Sequence, residues 1–344
     1  MHQTGRLILA GDVGGTKTDL AVFPDAEGRP APVAEATFAS RDHASLQDAV
    51  RAFLARCGLR VDSALFGVAG PVAGGKARIT NLPWVLDEAE LSAALGLERV
   101  RLVNDLQAVA AGVPLLEDAE LCTLNRGVVD RHGAVAVIAP GTGLGEAFLI
   151  WDGSRHRAFP SQGGHADFAP ADARQAELLA YLRARHGHVS CERVCSGMGL
   201  PNIIAFLRER GGGGGAEQAG GDPPGAGGDP TPAIIAAALD LARPDARCRA
   251  ALDIFAAVLG AEAGNLALKV MASGGVYLGG GIPPRILPVL QAGGFLAAFR
   301  GKGRMTDLMA GIPVHVILNP KTALLGAAVL ARDGGRAARR PEKG

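Results

Sequence analysis

The chain has 344 residues, more than one hydrophobic core usually serves, so two domains are expected. Thirty-five basic against 34 acidic residues leave a formal net charge of +1, and aromatics are 4%. Such a surface offers neither a basic face nor base-stacking rings, which excludes nucleic acid as a partner and gives no reason for an acidic membrane.

Cys57, Cys122, Cys191, Cys195 and Cys248 are scattered and odd in number, as reduced thiols are. The four apolar residues before Gly11 are too few for a signal peptide. The longest apolar stretch, Gly133 to Trp151, is interrupted by Pro140, Glu146 and several glycines, unlike a lipid-spanning helix. The expectation is a soluble, cytoplasmic protein.

Leu7 to Ala10 and Leu20 to Phe23 are apolar runs around Gly14-Gly15-Thr16, a pattern that predicts a β-hairpin with a small-residue turn. Backbone N–H groups of such a turn, with the Thr16 and Thr18 hydroxyls, suit phosphate oxygens. Asp12 at the mouth suits Mg²⁺ held through water. An ordinary Gly-Gly hairpin has the same pattern. A P-loop is excluded, since Thr16 stands where glycine must precede Lys17-Thr18, and the Rossmann glycine spacing is absent.

Val33 to Phe38 reads as a third strand, Ser45 to Cys57 as a helix, and Ala64 to Val68 as a buried strand. A helix over Glu88 to Leu97 and a strand at Arg101 to Val103 lead to Asn104-Asp105 and a further helix to Gly112. Ala134 to Ile138, Gly141-Thr142-Gly143 and Glu146 to Trp151 repeat the layout of strand, small-residue turn and strand, as two related halves would. Helices are expected at Glu177 to His186, from Glu192 to about Arg210, at Ala233 to Leu241 and at Ala250 to Met271. Residues 211–232, mostly Gly, Pro, Ala and Asp, read as a flexible surface insertion. Gly274 to Gly281 reads as a strand running into a glycine loop, Ile286 to Leu290 and Phe295 to Phe299 as short helices, Val314 to Ile317 as a strand and Ala323 to Arg332 as the last helix.

Seven stretches in this order resemble the bacterial glucokinases of the hexokinase, actin and heat-shock ATPase superfamily. They are Gly11 to Thr16, Thr80 to Trp84, Asn104-Asp105, Gly141 to Gly145, Gly163 to Pro170, Glu192 to Gly197 and Gly279 to Arg285. The resemblance implies a two-domain α/β fold of the actin-like ATPase (ribonuclease H-like) kind with an interdomain cleft. It divides the chain into a small domain of residues 1–117 plus 318–335, a large domain of 118–317 and a tail of 336–344.

The same resemblance implies ATP-dependent phosphorylation of glucose at its 6-hydroxyl, with ATP and Mg²⁺ required and a homodimer as the usual assembly. Asp105 becomes the general base, and Asn81, Asn104, Asp105, Gln162, His165 and Glu192 bind the sugar. Gly11, Asp12, Gly14, Gly15 and Thr16, with Gly141, Thr142 and Gly143, hold the nucleotide's phosphates, and Gly279, Gly280 and Gly281 admit its adenosine. Asp12 carries the Mg²⁺. A helix N-cap is the plain alternative for Asn104-Asp105, and a helix N-terminus is expected to keep Asp105 ionised.

One departure stands out. The family carries Glu where this chain has Gln162, so a charge-assisted hydrogen bond to the sugar becomes a neutral one, weaker by about 1 kcal/mol. Glucose affinity is then lower, or another hexose such as mannose, fructose or an amino sugar is preferred; a catalytically weak sugar-binding protein is the remaining reading. His186, His188, Cys191 and Cys195 have an unusual spacing for zinc, and Glu192 among them takes the working position.

Overall fold

The computed structural model describes residues 5–210 and 229–337, with side chains described up to 333. Contacts gather the chain into two units. The first takes the N-terminal stretch to Glu117, the segment Asp152–Pro160 and the C-terminal stretch from Asn319; the second takes Asp118–Trp151 and Ser161–Leu318. Asp152–Pro160, which the sequence places in the large domain, joins the first unit because Arg155 pairs with Asp333 and Gln107 Nε2 donates to Ala158 O at 2.9 Å.

In the first unit, Leu7–Val13 pairs antiparallel with Lys17–Pro24, which pairs antiparallel with Ala34–Ala39. On its other side Leu7–Val13 pairs parallel with Ser63–Val68, and that strand pairs parallel with Arg99–Asn104. Leu9, Val13, Leu20, Val22 and Phe66 pack one face against Leu46, Val50 and Phe53 of the helix Leu46–Cys57. Ser45 Oγ caps that helix by accepting the Asp48 N–H, and Gly58 ends it at φ 66°, a left-handed turn that glycine adopts freely. The opposite face packs on Ala108 of the helix Asp105–Gly112 and on Leu324, Leu325, Ala327 and Ala328 of the helix Thr322–Ala337. A small antiparallel sheet, Val72–Ala73, Lys76–Arg78 and Val85–Asp87, which the sequence reading lacks, carries the Thr80 to Trp84 loop.

The second unit repeats the plan. Val135–Pro140 pairs antiparallel with Leu144–Trp151 and parallel with Gly275–Leu278, which pairs parallel with Val314–Ile317. Leu121–Asn125 closes one edge. The helix Ala246–Val270 is long and apolar enough to cross a membrane, yet Leu252, Phe255, Leu259, Ala263 and Leu266 bury it in this unit's core.

The helix expected from Glu192 onward is two elements, a short 3-10 turn at Cys191–Arg193 and the helix Gly199–Arg210. Most of the expected insertion, 211–228, lies outside the described residues, as does 338–344 of the expected tail. Its last residues, Thr231 and Pro232, open the helix Thr231–Leu239 instead, where proline is tolerated for want of an N–H partner.

Candidate active site

In the first unit the parallel strands Leu7–Val13, Ser63–Val68 and Arg99–Asn104 end at one edge of the sheet. Ligands of α/β sheets gather outside such carboxyl ends. Asp12 lies level with Gly67, and Asn104 with Val68, so the two flanking strands deliver Asp12 and Asn104-Asp105 on either side of the central one. Gly67 lets the helix of Asp105 approach, since a Cβ there would stand 3.0 Å from Ala108 Cβ and 3.5 Å from Asp105 Cα.

The Asn104 Oδ1 caps that helix, accepting the N–H groups of Leu106 at 3.0 Å and Gln107 at 3.4 Å, while its Nδ2 donates to Gly70 O at 3.1 Å. Asn104 thus spends its acceptor on the fold. Only its remaining amide hydrogen is left to offer a sugar. Asp105 Oδ1 accepts the Leu106 N–H at 2.8 Å. Burial pushes the Asp105 carboxyl up to about 6, against the pull of the Leu106 and Asp105 N–H groups and the Asn104 side chain. Burial outweighs the helix N-terminus, yet a group at about 6 is still mostly ionised at pH 7, as the sequence leads one to expect.

Asp12 is pushed further, to about 7, by burial first and then by the charges of Asp105 and Asp19; Lys17 pulls the other way. Asp19 faces Asp12 directly across the hairpin and was absent from the sequence reading. It is satisfied by Lys17 Nζ at 2.6 Å and by the Thr37 hydroxyl. This concentration of carboxylate fits a divalent cation, which would relieve the repulsion that raises Asp12. Among the described residues no three His, Cys, Asp or Glu side chains stand close enough to hold a metal by themselves, so most ligands would be water and phosphate.

The Gly14-Gly15-Thr16 turn is less open than its sequence suggests. The Gly14 N–H donates to Lys17 O at 2.9 Å, and its carbonyl accepts the Ser40 hydroxyl at 2.8 Å. Thr18 is fully buried with its hydroxyl 2.9 Å from Ser40 Oγ, so it serves the fold and not a ligand. Thr16 is exposed at the tip. Gly15 packs on the Thr80 carbonyl, where a Cβ would stand 2.6 Å from the oxygen and 3.4 Å from Asn81 Cβ. Asn81 itself is exposed at φ 65°, in a loop anchored by buried Trp84. Gly11 is buried in its strand, where a Cβ would meet the Phe66 ring at 2.5 Å, so its glycine is explained by packing.

The second unit assembles the remaining candidates. The Gly141 N–H closes onto Gly143 O at 2.8 Å, leaving Thr142 exposed at the tip. Gly280, at φ 81°, lies against the Pro140 carbonyl with no room for a Cβ, and the Gly279 N–H donates to Ile138 O at 2.9 Å. Both glycine stretches therefore follow the ends of two adjacent parallel strands, with Gly281 exposed beside them. Glu192 Oε2 accepts the Leu144 N–H at 2.9 Å, and Glu192 Oε1 stands 3.8 Å from His165 Nδ1. Gly163–His165 forms a 3-10 turn entered from exposed Gln162, with Gly164 backed onto the Leu144 carbonyl. His165 and Glu192 thus come together beside Leu144, and exposed Gln162 leads into the same turn. The histidine and cysteine candidates for zinc diverge instead. His188 Nε2 meets Asp167 Oδ1 at 2.9 Å on the surface, while Cys191 Sγ donates to buried Glu262 at 3.3 Å.

An antiparallel hairpin with a glycine turn, followed by two parallel strands and repeated in both units, is the layout of the actin-like ATPase fold, and the relatives that share it are sugar kinases. The glucokinase family model matches residues 9–334. A glucokinase of Nostoc punctiforme is 40% identical over 338 residues, spanning 94% of this chain and 98% of that one. A crystal structure of glucokinase from an Antarctic psychrotroph superposes with a TM-score of 0.81 at 30% identity, covering 95% and 99% of the two chains. A glucokinase of the ROK family from Streptomyces griseus, solved with glucose and AMPPNP, shares the fold at a TM-score of 0.63 and 23% identity over 95% and 100% of the chains. The chain belongs to the glucokinase family, and it is an enzyme of the hexose 6-phosphotransferase class.

Proposed function

We propose that the protein transfers the γ-phosphoryl group of ATP to the 6-hydroxyl of glucose, with Asp105 as general base. The observation that carries this reading is the pair Asp12 and Asp105, set at the ends of the two strands that flank Ser63–Val68, with Asp105 fixed by the helix it begins. As the sugar oxygen attacks phosphorus, its proton passes to the Asp105 carboxylate and later to solvent, and ADP leaves. A carboxyl near pH 6 is matched to this task, because it is ionised at neutral pH yet basic enough to accept the proton.

Asp12 would hold Mg²⁺ through water, and the ion supplies neutralisation of phosphate charge. The turns at Gly15-Thr16 and at Thr142-Gly143 would each offer backbone N–H groups and a threonine hydroxyl to phosphate oxygens. His165 and Glu192 give the sugar a fixed donor and acceptor, since the Leu144 N–H orients the Glu192 carboxylate. Asn81 and the Asn104 amide add to this set, and Gly279–Gly281 leave space for adenosine.

The relatives' names and the glucose and AMPPNP of the Streptomyces griseus enzyme support the same substrates. Gln162 favours a second reading, a kinase whose best hexose is not glucose, because a neutral amide is a weaker acceptor for a sugar hydroxyl. A coupled ADP-release assay over a panel of hexoses tests both. Turnover with glucose that disappears in Asp105→Asn supports the first reading. Faster turnover with another hexose supports the second, and no turnover with any hexose refutes both.

A further inference from the structure

One buried acid in the second unit has no part in the chemistry above. Glu146 is the sole charged residue between Gly133 and Trp151 and is 2% exposed in the strand Leu144–Trp151. Its Oε1 has no hydrogen-bond partner. Its Oε2 lies against Gly163, leaving no room for a side chain there. The carboxyl group is therefore the floor beneath the Gly163–His165 turn.

The groups facing it are few. Helix Ala246–Val270 presents Glu262, 4% exposed, whose Oε2 accepts from Asn265 Nδ2 at 3.0 Å and from Cys191 Sγ, and whose Oε1 stands 3.8 Å from Lys269 Nζ. Lys302 binds the Ala261 carbonyl at 2.8 Å and Asn265 Oδ1 at 2.6 Å. Cys191 and Cys195 stay as thiols, their ionisation suppressed first by burial.

We propose that Glu146 is a positioning residue for sugar binding, which holds the Gly163–His165 turn in place while it carries a proton and releases it on ionisation. A neutral carboxyl can rest against Gly163 without a counter-ion. An ionised one beside Glu262 must draw in water, and the backbone its Oε2 touches is that of the turn. Movement there reaches both sugar ligands. The turn carries His165, and Ala166 O accepts the Cys191 N–H at 2.9 Å one residue before Glu192. Burial, and then the charge of Glu262, hold the Glu146 carboxyl up to about 7, so the change falls within the working range of pH. The inference rests on the reading of His165 and Glu192 as sugar ligands.

The test is the KM for glucose and the kcat, measured from pH 6 to 8 for the wild type and for Glu146→Gln. If only the protonated form binds, apparent KM scales inversely with its fraction and rises about tenfold over this range. Glu146→Gln, permanently neutral, should keep the low-pH KM throughout, while kcat follows Asp105 in both proteins. A flat KM in a wild type that phosphorylates glucose, or an equal rise in Glu146→Gln, overturns this inference alone. A wild type inert toward every hexose overturns the proposed function with it.

Should Glu146→Gln not fold, hydrogen exchange on the wild type decides. Protection of the His165, Ala166 and Cys191 amides, corrected for intrinsic rates, should fall above pH 7. Constant protection overturns the proposal.

Discussion

Asp12→Asn should make the protein more stable while abolishing phosphoryl transfer, and the gain should depend on pH. The unfolded chain holds an aspartate near 3.9, whereas the folded Asp12 sits at about 7. Between these values the folded state binds the extra proton, so stability falls as pH rises from about 4 to 7 and then levels off. Three units at about 1.4 kcal/mol each cap the penalty at about 4 kcal/mol. Asp12 is partly exposed and Lys17 offsets some of its charge, so about 1–2 kcal/mol is expected at pH 8. For a chain of this size that is a melting temperature higher by about 1–3 °C. Scanning calorimetry without Mg²⁺ or nucleotide measures it. The difference between variant and wild type should grow from pH 4 to 8 and vanish at the acid end. A pH-independent difference, or an Asn variant that melts lower at pH 8, would refute the account of Asp12 as a destabilised carboxylate.

Asp105→Asn should lower kcat by about a thousandfold while glucose affinity, measured by calorimetry, changes little; near-normal turnover would remove Asp105 as base. In the wild type, kcat should fall as pH drops below about 6, where Asp105 gains its proton, and a kcat unchanged at pH 5 would contradict the assignment. Gln162→Glu should reduce the KM for glucose about fivefold, the equivalent of ~1 kcal/mol, and an unchanged or higher KM would show that Gln162 does not limit binding. Gly280→Ala forces a left-handed backbone on alanine and sets its Cβ against the Pro140 carbonyl, so it should cost about 1–3 kcal/mol and raise the KM for ATP. An unaltered melting temperature would discount this packing.

Much of the fold was legible because its strands are short apolar runs bounded by glycine, aspartate or asparagine. The hairpin around Gly14, the strand ending at Asn104 and the hairpin around Thr142 lie where the pattern puts them. The small sheet Val72–Ala73, Lys76–Arg78 and Val85–Asp87 was not legible, since strands of two or three residues set no period. The role of Thr18 was not legible either. A hydroxyl beside a glycine turn looks like a ligand donor until Ser40, 22 residues away, is seen to occupy it. Glu146 did leave a signal, a lone acid in an otherwise uncharged buried run. Its significance depends on Gly163 and Glu262, which only the folded chain brings to it.

The two halves of the chain show what the catalytic edge adds to a shared scaffold. Both sheets contain the same four-strand run, an antiparallel pair followed by two parallel strands, and each antiparallel pair is joined by a glycine turn. Counting back from the turns, the second cross-strand pair is Asp12–Asp19 in the first unit and Ala139–Gly145 in the second. Like charges set opposite each other on neighbouring strands weaken a sheet. The second hairpin, with two small neutral residues, is the form that stability alone favours. The first pairs two aspartates and then neutralises only one, through Lys17 and Thr37, so Asp12 is left without equivalent partners. Packing gives no reason for that arrangement, and a cation with a polyphosphate gives one. Under the proposed function, the charge chemistry falls to the first hairpin and the second is a neutral cradle.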